Sequence, residues 1–177
     1  GAFLNKFGLY DEALKHLTRA LELSPKKQSI FFEAGSSYLG KGDYKKALEI
    51  MRQAYEEEPN FTEAKFLYGL TALYAREDKL AEEMLVPLYG TLLIPDDRII
   101  NAYMARGEYG KVLSLWQTRV KNSPGNADYR VALAASYLKL GNRSQSVAEL
   151  RKAIELKPEL KEQGEYYIKE IEAGRNP

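Results

Sequence analysis

Residues 28–61 read QSIFFEAGSSYLGKGDYKKALEIMRQAYEEEPNF, and two segments with helical spacing of apolar residues meet there at Gly42. Glycine readily adopts the left-handed backbone that ends a helix, and Asp43 is suited to cap the start of the next helix. Pro59 is expected to stop the second segment, because proline lacks the N–H that a helix interior requires. The stretch therefore predicts a pair of antiparallel helices joined by a tight turn.

The same pair of a turn glycine and a helix-ending proline recurs along the chain at a regular interval. Four prolines mark the ends of the units, and a glycine precedes each proline by the same distance along the sequence. The prolines are Pro25, Pro59, Pro124 and Pro158, and the glycines are Gly8, Gly42, Gly107 and Gly141. A fixed period of about 34 residues is the signature of an array of helical hairpins.

Small and large residues alternate within each unit in a way that resembles the tetratricopeptide repeat family. In residues 28–61 the pattern consists of Phe31, Ala34, Gly35 and Tyr38 on helix A, then Tyr44, Ala47, Met51 and Ala54 on helix B. The resemblance implies an all-α fold, a right-handed superhelical solenoid of antiparallel helix pairs. About 4.5 repeats and a C-terminal capping helix fit the length.

One tetratricopeptide domain is predicted over residues 1–177. Its parts are a truncated first repeat at 1–27, a second at 28–61, a degenerate third at 62–94, a shortened fourth at 95–126, a fifth at 127–158 and a capping helix at 159–174.

The middle of the array departs from the repeat pattern. Arg76 stands where a glycine is due, and Arg119 replaces a small residue of the family pattern. Pro87 falls inside the third helix B, where it is expected to kink or break the helix. The superhelix is predicted to be irregular over residues 77–106. Two explanations stay open, drift in a tolerant repeat and a change of groove curvature that serves function.

The first residue, Gly1, aligns with the eighth position of a repeat, which indicates a fragment whose natural protein continues upstream. The missing turns are expected to leave Leu14 and Leu17 poorly covered. We therefore predict a frayed start over residues 2–17, or a homodimer through the truncated end.

Composition and charge weigh against several classes of function. Lys and Arg number 26 against 25 Asp and Glu, which argues against a dedicated nucleic-acid surface. The chain has no cysteine and a single histidine, His16, so no metal site is expected. No apolar stretch is long enough for direct membrane insertion. No catalytic constellation is present, so we expect neither an enzyme nor a cofactor.

The 13 tyrosines and Trp116 are interpreted mainly as core, because they fall at packing positions of the repeat.

In this family the A helices line a concave groove that binds a protein or peptide. Carrying those positions over gives the candidate groove Phe32, Ser36, Phe66, Leu70, Leu73, Tyr74, Asn101, Val131 and Lys139. The lysine and asparagine set with which some family members grip a C-terminal carboxylate is absent from the matching positions. The groove instead suits an amphipathic helix or an extended apolar segment. Two alternatives stay open: Phe32 and Phe66 pack against the next repeat, or the upstream part of the same polypeptide fills the groove.

The sequence thus predicts a protein-interaction scaffold within a larger bacterial protein. Residues 158–171 also resemble the tails of repeat domains on bacterial membrane proteins of the O-antigen-ligase type. That resemblance implies a soluble domain tethered to a membrane through an upstream region. The alternative functions are glycan binding and a purely structural role beside a membrane-embedded glycan-processing enzyme. The partner and the compartment are not determined by the sequence.

Overall fold

The computed structural model describes residues 4, 5 and 7–176. Within these residues every regular element is a helix. The helices are α1 (Tyr10–Leu23), α2 (Gln28–Lys41), α3 (Tyr44–Glu57), α4 (Thr62–Ala75), α5 (Asp78–Tyr89), α6 (Asp97–Arg106), α7 (Tyr109–Asn122), α8 (Ala127–Lys139), α9 (Arg143–Leu156) and α10 (Lys161–Glu172), with a short 3₁₀ turn at Pro158–Leu160.

Two compact units divide the chain, the first ending at Leu92 and the second beginning at Leu93. In the first unit each helix packs against the next, and α2 also contacts α4. In the second unit α6 to α10 likewise pack in chain order. Helical hairpins stacked in this way are the predicted repeat architecture. The division into two units was not predicted, and the repeat boundaries inside them stay predictions.

The turns follow the chemistry that the sequence indicated. Gly42 has φ of 76° and ends α2, while the Asp43 carboxylate accepts a hydrogen bond from the Lys46 N–H at 3.2 Å. Asn142 caps α9 in the same way, from the Gln145 N–H. Each of four helices ends two residues before a proline: α1 at Leu23, α3 at Glu57, α7 at Asn122 and α9 at Leu156.

The second helix of the third repeat does not end at its internal proline. Helix α5 continues through Pro87 and ends two residues later at Tyr89, with Gly90 at φ 73° as its cap. Of the two predicted effects, a break at Pro87 is therefore wrong, and a kink there stays a prediction. Only the last turn of the helix is affected, because the single hydrogen bond that proline removes lies there.

Close approach of the helices within a hairpin depends on glycine. A Cβ atom placed on Gly69 of α4 would lie 2.6 Å from Cγ of Leu85 and 2.9 Å from Cβ of Met84, both on α5. Since real Cβ atoms essentially never come so close, a side chain at this position forces the two helices apart. Gly35 occupies the equivalent position one repeat earlier and faces Met51.

The fourth repeat begins with a short helix that is held by an arginine of its partner helix. Arg119 of α7 donates hydrogen bonds at 3.0 and 2.8 Å to the Pro95 carbonyl oxygen, and its Nη1 lies 2.5 Å from the Asp97 carboxylate. Helix α6 has ten residues, four fewer than α2 or α4. The long arginine thus reaches the start of α6 from a position where the family pattern has a small residue.

The start of the chain is covered, contrary to expectation. Leu17 is 5% exposed, and Leu4 packs with Leu21 against the cluster of Ala13, Leu17 and Ala34. The prediction that Leu14 and Leu17 are poorly covered is therefore wrong, since Leu14 is also only 8% exposed and Ile30 and Ile50 pack on the same cluster. The predicted homodimer loses its basis. Residues 2, 3 and 6 of the predicted frayed segment lie outside the described residues.

Candidate partner-binding surface

Three of the predicted groove residues are buried. Phe66, Leu70 and Leu73 of α4 are 1%, 3% and 1% exposed. The ring of Phe66 meets that of Tyr89 edge-on, with centroids 5.9 Å apart. Tyr89 belongs to the second helix of the same predicted repeat, so Phe66 packs within its own repeat, whereas the alternative that the sequence left open was packing against the next one. Because α4 is apolar on most of its circumference, these side chains serve packing and are not available to a partner.

The other predicted residues of the first unit are only partly accessible or small. Phe32 is half-buried beside Phe61, with ring centroids 5.9 Å apart. Tyr74 is half-buried beside Tyr44 at 5.3 Å. Burial raises the pKa of the Tyr74 hydroxyl, and the neighbouring Tyr44 adds to this, so Tyr74 stays neutral near pH 7. Ser36 is exposed.

The remaining predicted residues belong to the second unit, where Val131 helps to form two depressions between α8 and α10. Asn101 is exposed on α6, Val131 is half-buried on α8, and Lys139 is exposed at the end of α8. The two depressions have volumes of about 200 and 240 Å³, and both are also lined by Tyr167 of α10. Val131, Tyr167 and Leu150 of α9 therefore form their common wall.

A larger pocket of about 430 Å³ lies between α6, α7 and α8. Its lining residues are Met104 from α6; Tyr109, Val112 and Trp116 from α7; and Ala132, Ala135, Ser136 and Lys139 from α8. Ala135 is exposed and lines both this pocket and the depression beside Tyr167. The concavities therefore adjoin along α8. We call this region the α8 surface and define it by Val131, Ala135, Leu138 and Lys139, with Met104, Tyr109, Trp116 and Tyr167 around them.

Trp116, Tyr109 and Tyr167 are aromatic residues of this surface that the sequence analysis missed, and Trp116 is the largest of them. It was expected in the core, yet it is only half-buried and forms one wall of the pocket between α6, α7 and α8. Its ring also lies 5.7 Å from the ring of Tyr129 and 4.7 Å from the Arg119 guanidinium. The sequence offered one signal of this: tryptophan is larger than Leu17, Met51 and Leu150, which occupy the equivalent position in other repeats.

Charges along α8 are paired toward its start and not at its end. Asp128 lies 3.3 Å from Nζ of Lys157, and Arg130 lies 2.8 Å from the Glu149 carboxylate. In the part of the chain that the structure describes, no carboxylate lies within ion-pair distance of Lys139. Nζ of Lys139 lies over the ring of Tyr109, 6.0 Å from its centroid. The pocket rim therefore carries an uncompensated positive charge.

Among the described residues, no group of three or more His, Asp or Glu side chains comes together in a way that could hold a metal ion. No helix among those residues has the length and apolar character needed to cross a membrane.

Comparison with known proteins identifies the repeat. Sequence models described as Tetratricopeptide repeat match residues 4–60, 32–83 and 127–160, which together exceed half of the chain. The chain belongs to the tetratricopeptide repeat family. The family resemblance predicted from the sequence is thus confirmed.

Solved tetratricopeptide structures share the fold at low sequence identity. A tetratricopeptide repeat protein from Parabacteroides merdae is 20% identical with a TM-score of 0.61, covering 97% of this chain and 71% of that protein. A MamA protein is 19% identical with a TM-score of 0.55, covering 92% and 90% of the two chains. A MamA fragment from Desulfovibrio magneticus is 20% identical with a TM-score of 0.56, covering 89% and 91%.

A curated relative is more distant in sequence and much longer. It is the BBSome complex member BBS4 homolog of Drosophila melanogaster, 20% identical over 163 residues and 84% of this chain. The tetratricopeptide chain spans about a third, 34%, of that relative's length. Membership of the family indicates a protein-interaction scaffold, since tetratricopeptide domains bind protein or peptide partners.

Proposed function

We propose that the chain is a protein-interaction scaffold whose second unit binds an apolar partner segment along the α8 surface. The observation that carries the proposal is the row of adjoining concavities on either side of Ala135. The small Ala135 side chain separates the half-buried aromatic rings of Trp116 and Tyr167. Aromatic side chains around a concave apolar surface are typical of energetically dominant contacts in protein interfaces.

The shape of the surface supports a helix or an extended segment as the bound element. Apolar anchors of an amphipathic helix recur every three or four residues, so successive anchors enter successive pockets of a groove. Val131, Ala135 and Leu138 lie at the same spacing on α8 and line the depressions beside Tyr167. A partner helix packed along α8 matches this spacing.

Selection of peptides from a random display library on the intact chain tests the proposal. Selected peptides are then compared on Ala135→Arg, which fills the centre of the α8 surface, and on Ser144→Arg, which adds the same side chain at an exposed site on α9. We expect at least tenfold weaker binding to Ala135→Arg and unchanged binding to Ser144→Arg. Equal binding to both variants, or no enriched peptide, would contradict the proposal.

The more specific predictions from the sequence, on origin, membrane tethering and glycan binding, stay separate predictions. A bacterial origin and a membrane tether rest on the resemblances given above, and a glycan ligand rests on the aromatic residues of the predicted groove. Titration with oligosaccharides, followed by tryptophan fluorescence, tests glycan binding directly. Enzymatic turnover is not part of the proposal, because tetratricopeptide domains typically act by binding.

A further inference from the structure

We propose that the pocket between α6, α7 and α8 binds one large apolar side chain of a partner segment whose neighbouring residues carry carboxylates that pair with Lys139. This inference rests on the proposed function and specifies the partner's chemistry. It commits the pocket to an acidic segment with an apolar or aromatic anchor.

The pocket walls fit an anchor side chain. Met104 is 49% exposed at one side, and Tyr109 and Trp116 are half-buried opposite α8. Volumes of roughly 300 to 1,000 Å³ are typical of concave ligand sites, so a pocket of about 430 Å³ accommodates a phenylalanine or leucine side chain. Methionine adapts its shape to such a guest.

The tryptophan wall is held in place before any partner arrives. Arg119 lies 4.7 Å from the ring of Trp116 and 5.4 Å from that of Tyr129. The same guanidinium is anchored by its hydrogen bonds to the Pro95 carbonyl oxygen and by Asp97. Because these contacts fix the guanidinium, the ring that packs against it loses little freedom on binding. Preorganised walls of this kind reduce the entropic cost of association.

The charge at the rim decides between acidic and other partners. Lys111 precedes the pocket residue Val112 along the chain, but it is engaged with Glu108 at 2.7 Å and with the ring of Tyr103 at 4.7 Å. Arg106 is also paired with Glu108. Lys139 lines the pocket and has no carboxylate partner among the described residues, so it is the cation available to a bound segment. A cation at the last residue of α8 also stabilises that helix, and this second role predicts no preference for acidic peptides.

Defined peptides separate these two roles. Five-residue peptides with capped ends carry a central phenylalanine flanked by glutamates, glutamines or lysines, and a fourth peptide has alanine between glutamates. Binding to the intact chain is followed by fluorescence of Trp116, the only tryptophan. We expect the glutamate–phenylalanine peptide to bind at least threefold more tightly than its glutamine counterpart. Replacement of its phenylalanine by alanine is expected to weaken binding about tenfold.

Charge reversal supplies the matched control. Lys139→Glu is expected to weaken binding of the glutamate peptide about fivefold or more and to favour the lysine peptide, as expected for a rim charge. Lys121→Glu makes the same change at an exposed site of α7 outside the pocket and is expected to leave binding unchanged.

The outcomes distinguish this inference from the function on which it rests. Library peptides that require Ala135 but show no response to Lys139→Glu would overturn the inference and leave the scaffold function standing. Glutamate, glutamine and lysine peptides that bind equally well would also overturn it. Absence of binding by every peptide, library-selected ones included, would overturn both.

Discussion

Arg76 ends α4 with φ of 63°, and among the described residues other than glycine it alone has a positive φ. A left-handed backbone costs a residue with a Cβ atom about 1 to 2 kcal/mol, and glycine avoids this cost. We therefore expect Arg76→Gly to raise the free energy of unfolding by about 1 kcal/mol relative to Arg76→Ala, measured by urea denaturation. Both changes remove the same side-chain contacts, so equal stabilities would show that the turn is not strained.

Glu149 lies on α9 between two cations, Arg130 and Lys152, each 2.8 Å from its carboxylate. Burial alone would raise the pKa of Glu149, but hydrogen bonds from Lys152 and Arg130 outweigh it and hold the pKa below the ordinary value of 4.5. Since the folded-state pKa is lowered, this stabilisation is present above the unfolded-state pKa and is lost as the pH falls through the folded-state value.

We expect Glu149→Gln to lower the free energy of unfolding by about 2 kcal/mol at pH 7, because it leaves the partly buried Arg130 without its counter-charge. The difference from the unchanged protein is expected to shrink as the pH falls below about 4.5, the ordinary glutamate pKa, and to be lost only at the lower pH where Glu149 becomes protonated in the folded protein. Urea denaturation across this pH range measures the effect. The exposed Glu155 on the same helix provides the control, and a loss of similar size in Glu155→Gln would contradict the assignment.

At the scale of the helical hairpin, stability depends on the close approach of α4 and α5 at Gly69. Gly69→Ala is expected to lower the free energy of unfolding by about 2 kcal/mol, because the added methyl group overlaps Leu85 and the Cβ of Met84. Gly110→Ala places the same methyl group in open space near the start of α7 and is expected to be neutral or stabilising by up to about 1 kcal/mol. Thermal denaturation compares them, and equal effects would refute the packing argument.

The elements were more predictable than the surface that they form. Glycine and proline act on their own backbone, so the ends of helices such as α2 and α3 could be predicted from single residues. Exposure depends on neighbouring repeats, so Leu70 and Leu73 were expected on a surface and are buried. Trp116 was assigned to the core by its repeat position, yet Arg119 and Tyr129 hold its ring in the pocket wall. That contact joins residues from two repeats, and a repeat-by-repeat reading of the sequence does not reveal it.

At the scale of the whole molecule, stability is expected to be distributed over the two units. Repeat arrays gain most of their stability from contacts within a repeat and with the next one. The contacts of Gly69 are on α5 in the first unit, whereas those of Glu149 are with α8 and its own helix in the second. The two sets of contacts share no residue. The losses of unfolding free energy in Gly69→Ala and Glu149→Gln are therefore expected to be nearly additive in the double variant.

Hydrogen exchange shows which unit is destabilised by a substitution, because the protection of an amide reports the free energy of the opening that exposes it. In Gly69→Ala we expect protection to fall in α4 and α5, where the added methyl group disturbs packing. Protection in α8 and α9 is expected to stay within about threefold of the unchanged protein, since helices in a repeat array open locally. An equal loss of protection in both units would instead show that the array unfolds as a single cooperative body. In that case a substitution in the first unit would also change the fraction of molecules whose α8 surface is folded and able to bind.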